Sequence, residues 1–325
     1  MASTEDDYGM SYYFRGNVID NYVEFANKCW RIVRITGNCG IKLVLSNDNI
    51  NKSKNPCSAS NNDSEAAFAR YDGNEYITSF CSNTELDNAN IGFMYGKLKA
   101  DSYAYAQSNT NKSTILLNLE KWYKSNLLAY EEKLDDTIWC NDKSIVTDEN
   151  FKPDSVFVLK KKYGANINFN YYGPVKRLIS SSGFTGGTGP SLKCPPDYND
   201  GKLSKFTVKD AIYGNGNLTY KIGLLTADEV AFAGAVVIDQ KGTPYKNNSY
   251  YLNENATGSV WWTVSPYGLI GYNYGTYIFD AAPAGNLAFL NCWIGLGPRP
   301  SISLNSNAKI LKGTGTNSDP FIISD

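Results

Sequence analysis

The chain has 325 residues, of which 42% are apolar, enough to bury a sizeable core in one large domain or two ordinary ones. Lys and Arg (31) balance Asp and Glu (32), so no net field recommends a nucleic-acid or anionic-membrane partner. Histidine is absent, which excludes Ser-His-Asp triads, Cys-His dyads and His-ligated zinc.

The opening Met1-Ala-Ser-Thr-Glu-Asp-Asp7 has neither the basic region nor the apolar run of a signal peptide. Residues 1–11 are expected to be a linker, standing where a native leader or anchor would be. From Tyr12 to Leu45, apolar and polar residues alternate in runs bounded by Gly and Asn: Tyr12–Arg15, Tyr22–Ala26, Cys29–Ile35 and Ile41–Leu45. Period two predicts a β-meander, with Trp30, Ile32, Val33 and Ile35 inward and Arg31 and Arg34 in solvent. Residues 46–110 are rich in Asn, Ser, Asp, Tyr and Gly around one apolar island, Ile91–Gly96, and read as a loop-rich insertion.

A helix is predicted from Ser113 to Lys133. Asn111 or Ser113 can cap it, and Ile115, Leu116, Leu119, Trp122, Tyr123, Leu127 and Tyr130 share one face. The acidic pairs at its end, Glu131-Glu132 and Asp135-Asp136, are assigned to solvent rather than to acid/base chemistry. Residues 141–203, dense in Gly, Pro and Ser, read as a second loop-rich insertion. A short second helix follows from Ala227, with Thr226 and Glu229 spaced as a capping box and Gly234 as the stop. Strands return at Val260–Val264, Tyr277–Phe279, Leu287–Leu290, Ser301–Leu304 and Pro320–Ser324. No repeat of solenoid length is visible, so residues 12–325 are read as a single α+β domain.

The seven cysteines show no CxxC spacing. Cys140 with Cys194 and Cys29 with Cys57 are the preferred disulfides, although spacing alone does not set the pairing. An odd count leaves at least one thiol unpaired, and Cys292 reads as isolated, a packing or variable position. Disulfides, many loops and abundant Tyr, Asn, Ser and Thr suit an extracytoplasmic protein, cell-surface or secreted. No run of about 18 apolar residues exists, so no segment is expected to insert in a membrane.

The stretch Trp261–Pro300 holds nine aromatic residues, and only Asp280 and Arg299 are charged. Trp261, Trp262 and Phe279 read as scaffold. The residues among Gly271, Gly275, Gly285, Gly295 and Gly297 do not alternate cleanly, and Tyr and Trp on such turns provide contact area at low entropic cost.

Trp261-Trp-Thr-Val-Ser-Pro266 and Gly297-Pro-Arg-Pro-Ser-Ile-Ser-Leu304 resemble the C-terminal region of the variable proteins of diversity-generating retroelements, in particular a group from gut Firmicutes and their prophages. The resemblance extends through Tyr12-Tyr-Phe-Arg-Gly16, Cys29-Trp-Arg-Ile-Val-Arg34, Trp139-Cys-Asn-Asp142, Gly223-Leu-Leu-Thr-Ala-Asp-Glu-Val230 and Gly313-Thr-Gly-Thr316. It implies a C-type-lectin-like fold, shared with formylglycine-generating enzymes, with twisted antiparallel sheets, two main helices and long decorated loops. It also implies a hypervariable ligand-binding region at about 266–300, diversified by retroelement mutagenesis. The positions matching variable sites are Ile270, Tyr272, Tyr274, Tyr277, Asp280, Ala288, Phe289, Leu290, Asn291, Trp293, Ile294 and Leu296. The expected function is binding of an unidentified protein or glycan ligand on a cell surface, host or phage, without catalysis. A pilus-like adhesin subunit and an enzyme related to formylglycine-generating proteins are the alternatives. Trp139-Cys-Asn-Asp142 is similar to the Trp-Asn-Asp calcium motif of C-type lectins. The inserted Cys and its place before the core strands make Asp142 a turn or cap residue, and no metal or other cofactor is expected.

Overall fold

The computed structural model describes residues 1–70, 78–81, 91–98, 102, 105, 107–148, 150–151, 153, 171–181, 186–196, 201–237, 249–256, 260–270 and 275–324, with the backbone alone at 270. The chain is α+β and rich in strands. The N-terminal meander comprises β1 (Ala2–Asp6), β2 (Gly9–Tyr13), β3 (Tyr22–Phe25), β4 (Lys28–Ile35) and β5 (Ile41–Asn47). Two short pairs follow: β6 (Met94–Tyr95) with β7 (Asn111–Lys112), and β8 (Trp139–Cys140) with β9 (Lys205–Phe206). After β10 (Val236–Val237) come β11 (Trp261–Ile270), β12 (Gly275–Ala281), β13 (Asn286–Asn291), β14 (Ser301–Leu304), β15 (Ile310–Lys312) and β16 (Phe321–Ile323).

The larger sheet runs β1-β2-β4-β3-β16-β15, with β5 also paired to β4 and β14 paired to β5. Its β3–β16 pairing is parallel, which brings the C-terminal strand beside the meander. The second sheet runs β10-β13-β12-β11, antiparallel except at β10–β13. Two apolar clusters pack against the inner strands of both sheets. The first joins Trp30, Leu43, Leu45, Trp262, Ile278 and Ile302 to helix α1 (Thr114–Asn126) through Ile115, Leu116, Leu119 and Trp122. The second joins Val33, Val44, Trp261, Tyr267, Phe279 and Leu287 to α2 (Gly173–Leu178) and α3 (Ala227–Ala233). Burying each of these large side chains contributes on the order of 2–3 kcal/mol.

Helix α1 starts where the capping reading puts it, since the Ser113 hydroxyl accepts from the Leu116 N–H at 3.3 Å. It ends at Asn126, however, and a 3-10 turn over Leu128–Lys133 replaces the last stretch of the expected helix. At α3 the Thr226/Glu229 capping box is complete, and Gly234 closes the helix at φ 134°. Ile91, Phe93 and Met94 of the first insertion lie inside the first apolar cluster, so that insertion helps to build the main core.

Three expectations are corrected. Residues 1–11 are not a linker: β1 and β2 form a hairpin, and Asp6 is buried against Arg34 and the Gly37 N–H. Arg31 and Arg34 are not in solvent, being 0% and 5% exposed. Alternation sends one side of a strand to water only when that side is bare, and here a second layer covers it. Asp136 is not a solvated helix-end charge, because its carboxylate accepts the backbone N–H groups of Val208, Lys209 and Asp210 and ties that loop down.

The buried charges form a layer between the large sheet and the helices. Glu229 accepts from Lys42 at 2.6 Å and from Arg34 at 3.0 Å, while Arg177 on α2 bridges Asp142 and Asp228 at 2.7 Å each. Burial alone would raise the Glu229 carboxyl, but Lys42, Arg34 and the Thr226 N–H outweigh it and hold it at about 2. The cavity among these groups measures about 20 Å³, room for one water molecule.

Candidate ligand-binding face

The second sheet decides which of the expected ligand residues can reach a partner. Its middle strand β12 pairs with β11 on one side and β13 on the other, in register Tyr277↔Asn291, Phe279↔Phe289 and Asp280↔Ala288. Trp261, Trp262 and Phe279, read as scaffold, are 1%, 0% and 0% exposed. Tyr277, Asp280 and Asn291 are buried as well, which removes them from the exposed face expected of them. Strand β12 is interior and covered on both faces, so side chains pointing either way are enclosed.

Ala288, Phe289, Leu290, Trp293, Ile294 and Leu296 are each half-buried. They run from the end of β13 into the turn that follows. The Phe289 ring stacks on Tyr267 with centroids 3.9 Å apart and meets Tyr277 edge-on at 5.7 Å, at the rim of the second apolar cluster. Leu290, Trp293, Ile294 and Leu296 lean on the first cluster instead. Trp293 lies over Gly275, where an added Cβ would come within 2.7 Å of the indole and 2.3 Å of the Asn291 amide oxygen. The backbone of Ile270 ends β11, while Tyr272 and Tyr274 lie outside the described residues.

One segment of this region was not legible as part of it. Thr78–Cys81, from the first insertion, lies along residues 292–296. Thr78 and Leu296 exchange N–H···O bonds at 2.9 and 2.8 Å, Phe80 and Cys81 both donate to the Cys292 carbonyl, and the Trp262 indole donates to the Thr78 carbonyl. A Cys81–Cys292 disulfide fixes the strap, so Cys292 is neither isolated nor a free packing residue. The signal that could have found it is arithmetic. With Cys29–Cys57 and Cys140–Cys194 assigned, both of which are bonded in the structure, only Cys39, Cys81 and Cys292 remain. Cys39 sits exposed and free in the β4–β5 turn.

Asp280 stands out electrostatically. It is 1% exposed, Oδ2 has no hydrogen-bond partner, and burial pushes its carboxyl up to about 8. A carboxyl raised in the folded state favours folding below its unfolded value near 4, and that contribution is lost as pH rises through 8. Asp280→Asn is therefore expected to stabilise the protein by on the order of 5 kcal/mol at pH 8 and by less than about 1 kcal/mol at pH 4. Urea unfolding at the two pH values checks this, and an equal effect at both would contradict it.

Asp142 serves as a turn residue and ion-pair partner, accepting from the Ser144 N–H at 2.9 Å and from Arg177. Among the described residues no group of three or more Cys, Asp or Glu is placed to hold a metal ion. No helix among them is long and apolar enough to cross a membrane. No family model, curated protein or solved structure matches the chain.

Proposed function

We propose that this chain is a ligand-binding protein that displays a variable surface on a rigid scaffold, with residues 288–296 as the centre of its binding face. The observation that carries the reading is the division of one sheet. Residues 261–269 of β11 and strand β12 are enclosed, whereas the end of β13 and its following turn place six non-polar side chains, two of them aromatic, partly in solvent. Interface energetics concentrate in such aromatic anchors set on a rigid base. Three disulfides support a setting in an oxidising, extracytoplasmic compartment, where the partner would be a protein or glycan on another surface. The α+β architecture is compatible with the C-type-lectin-like fold that the sequence resemblance implies, and with a role as a retroelement-diversified protein.

The test is a glycan and protein array screen with the parent chain and with Tyr272, Phe289 and Trp293 changed to Ser. We expect binding to fall at least tenfold. Stability should fall by about 1–2 kcal/mol for each of the half-buried Phe289 and Trp293 rings removed, which leaves the fold intact. A folded triple variant that binds as the parent does would move the site elsewhere.

A pilus-like subunit is the second reading, favoured by one feature. Strand β15 lies at the edge of the large sheet with all three residues exposed, Ile310 at 50% and Leu311 at 65%. Such an edge is a template for strand addition by a second copy. Light scattering is expected to give a monomer, and a concentration-dependent polymer would favour the subunit instead.

A further inference from the structure

Among the described residues two lysine–carboxylate pairs have both side chains no more than 10% exposed, Lys42 with Glu229 and Lys28 with Asp48, each at 2.6 Å. They are held in opposite ways. Against the opposing effect of burial, Lys42, Arg34 and the Thr226 N–H keep Glu229 ionised at about 2, and an ionised carboxylate resists attack at its carbon. Asp48 has Lys28 as its one cation among the described residues, and burial outweighs that lysine and pushes the Asp48 carboxyl up.

The sheet positions this second pair. Lys28 opens β4, Asp48 follows the end of β5, and the register Cys29↔Asn47 sets the two residues opposite each other at the rim. Lys28 Nζ lies 2.6 Å from Oδ1 and donates to the Asp48 main-chain carbonyl at 3.1 Å, with the Trp122 ring centre 5.4 Å away. Oδ1 is buried and has no hydrogen-bond partner, so the contact does not tie the nitrogen to an oxygen lone pair. Oδ2 differs, accepting the Arg70 N–H at 3.1 Å and the Trp122 indole N–H at 3.4 Å. An amine pressed against one oxygen of a carboxyl, with two fixed donors on the other, is the arrangement that promotes acyl transfer to nitrogen.

We propose that Lys28 and Asp48 condense to an intramolecular isopeptide bond, from Nζ to Cγ, with release of one water. The ammonium first passes a proton to Oδ1, which removes both buried charges and leaves a neutral amine facing a neutral carboxyl. The Nζ lone pair forms the bond to Cγ, and the carbonyl electron pair moves onto Oδ2, where the Arg70 and Trp122 N–H groups stabilise it. A second proton passes from the nitrogen to Oδ1, the Cγ–Oδ1 bond breaks, and Oδ1 leaves as water while the pair on Oδ2 restores the carbonyl. The step needs no oxidant, and as the amide oxygen Oδ2 keeps both donors. The link holds the start of the first insertion on the sheet when the neighbouring Cys29–Cys57 disulfide is reduced. It does not depend on the ligand face at residues 288–296.

Mass spectrometry of the whole protein, incubated folded and then reduced and unfolded, tests this. Most molecules should weigh one water less than the sequence requires. Tryptic digestion should give residues 16–31 joined to residues 43–52, uncleaved at Lys28, by a link that survives reduction. Lys28→Arg keeps a cation beside Asp48 and should restore the full sequence mass. A parent chain that stays at full mass with Lys28 open to cleavage would overturn the proposal. So would a water loss confined to residues 43–52, which marks a succinimide at Asp48, or a water loss that persists in Lys28→Arg.

Discussion

Replacing Glu229 by Ala is expected to destabilise the protein by about 3–5 kcal/mol, the cost of leaving buried cations unpaired. Lys42 would lose its one carboxylate among the described residues, Arg34 would keep only Asp6, and α3 would lose half of its capping box. Glu229→Gln keeps a hydrogen-bonding side chain at the same place and should cost less. The pH dependence separates charge from shape. The folded carboxyl lies at about 2, against about 4.5 for a free one, so its contribution is complete above pH 4.5 and is lost as pH falls toward 2. That contribution is on the order of 3 kcal/mol, because the group is fully buried and unscreened. Glu229→Gln should flatten the loss of stability between pH 4.5 and 2. An acid limb of the same steepness in the variant would mean that other carboxylates control it.

The second large effect concerns the strap. Cys81 and Cys292 are 211 residues apart, the longest loop closed by any of the three disulfides. In the chain-entropy model, removing such a link costs about 4–5 kcal/mol, a figure lowered by the Cys140–Cys194 link nested inside it. The double variant Cys81→Ser/Cys292→Ser should therefore shift the urea midpoint strongly. It should also loosen residues 292–296, which the Thr78–Cys81 segment holds through four backbone hydrogen bonds. Hydrogen exchange at Leu296 and Thr78 would report this locally. A stability loss below about 1 kcal/mol would mean that the packing of Phe80 against Trp262 positions the strap without the bond.

Local signals were legible in the sequence where local physics decides. Alternation located β3, β4 and β5, the Ser113 and Thr226 caps located two helix starts, and Gly234 located a helix end. Features set by distant partners were not. Arg31 and Arg34 alternate as surface residues do, and only Glu254, Asp6 and Glu229, brought in from remote segments, make their burial tolerable. Residues 3–6 are polar, and with Ala2 they form a strand through backbone pairing with β2. Helix α2 begins at Gly173-Pro174 inside a stretch dense in loop residues, where Pro in the first turn costs nothing because its missing N–H would be unpaired anyway. Around the proposed ligand face, sequence located the enclosed scaffold residues Trp261 and Trp262. It did not separate the enclosed Tyr277, Asp280 and Asn291 from the half-exposed Phe289, Trp293 and Leu296, because the two covering layers come from elsewhere in the chain.

That separation makes the central claim testable by sequencing. Natural copies of this gene, read across bacterial and phage populations together with their flanking DNA, should carry substitutions concentrated at Ala288, Phe289, Leu290, Trp293, Ile294 and Leu296. Cys292, Gly275, Trp261 and Trp262 should stay constant, and a reverse transcriptase gene with a template copy of the codons for about 269–296 should lie nearby. Substitutions spread evenly along the chain, or variation at Cys292 as frequent as at its neighbours, with no template copy beside the gene, would contradict a variable ligand face on a constant scaffold.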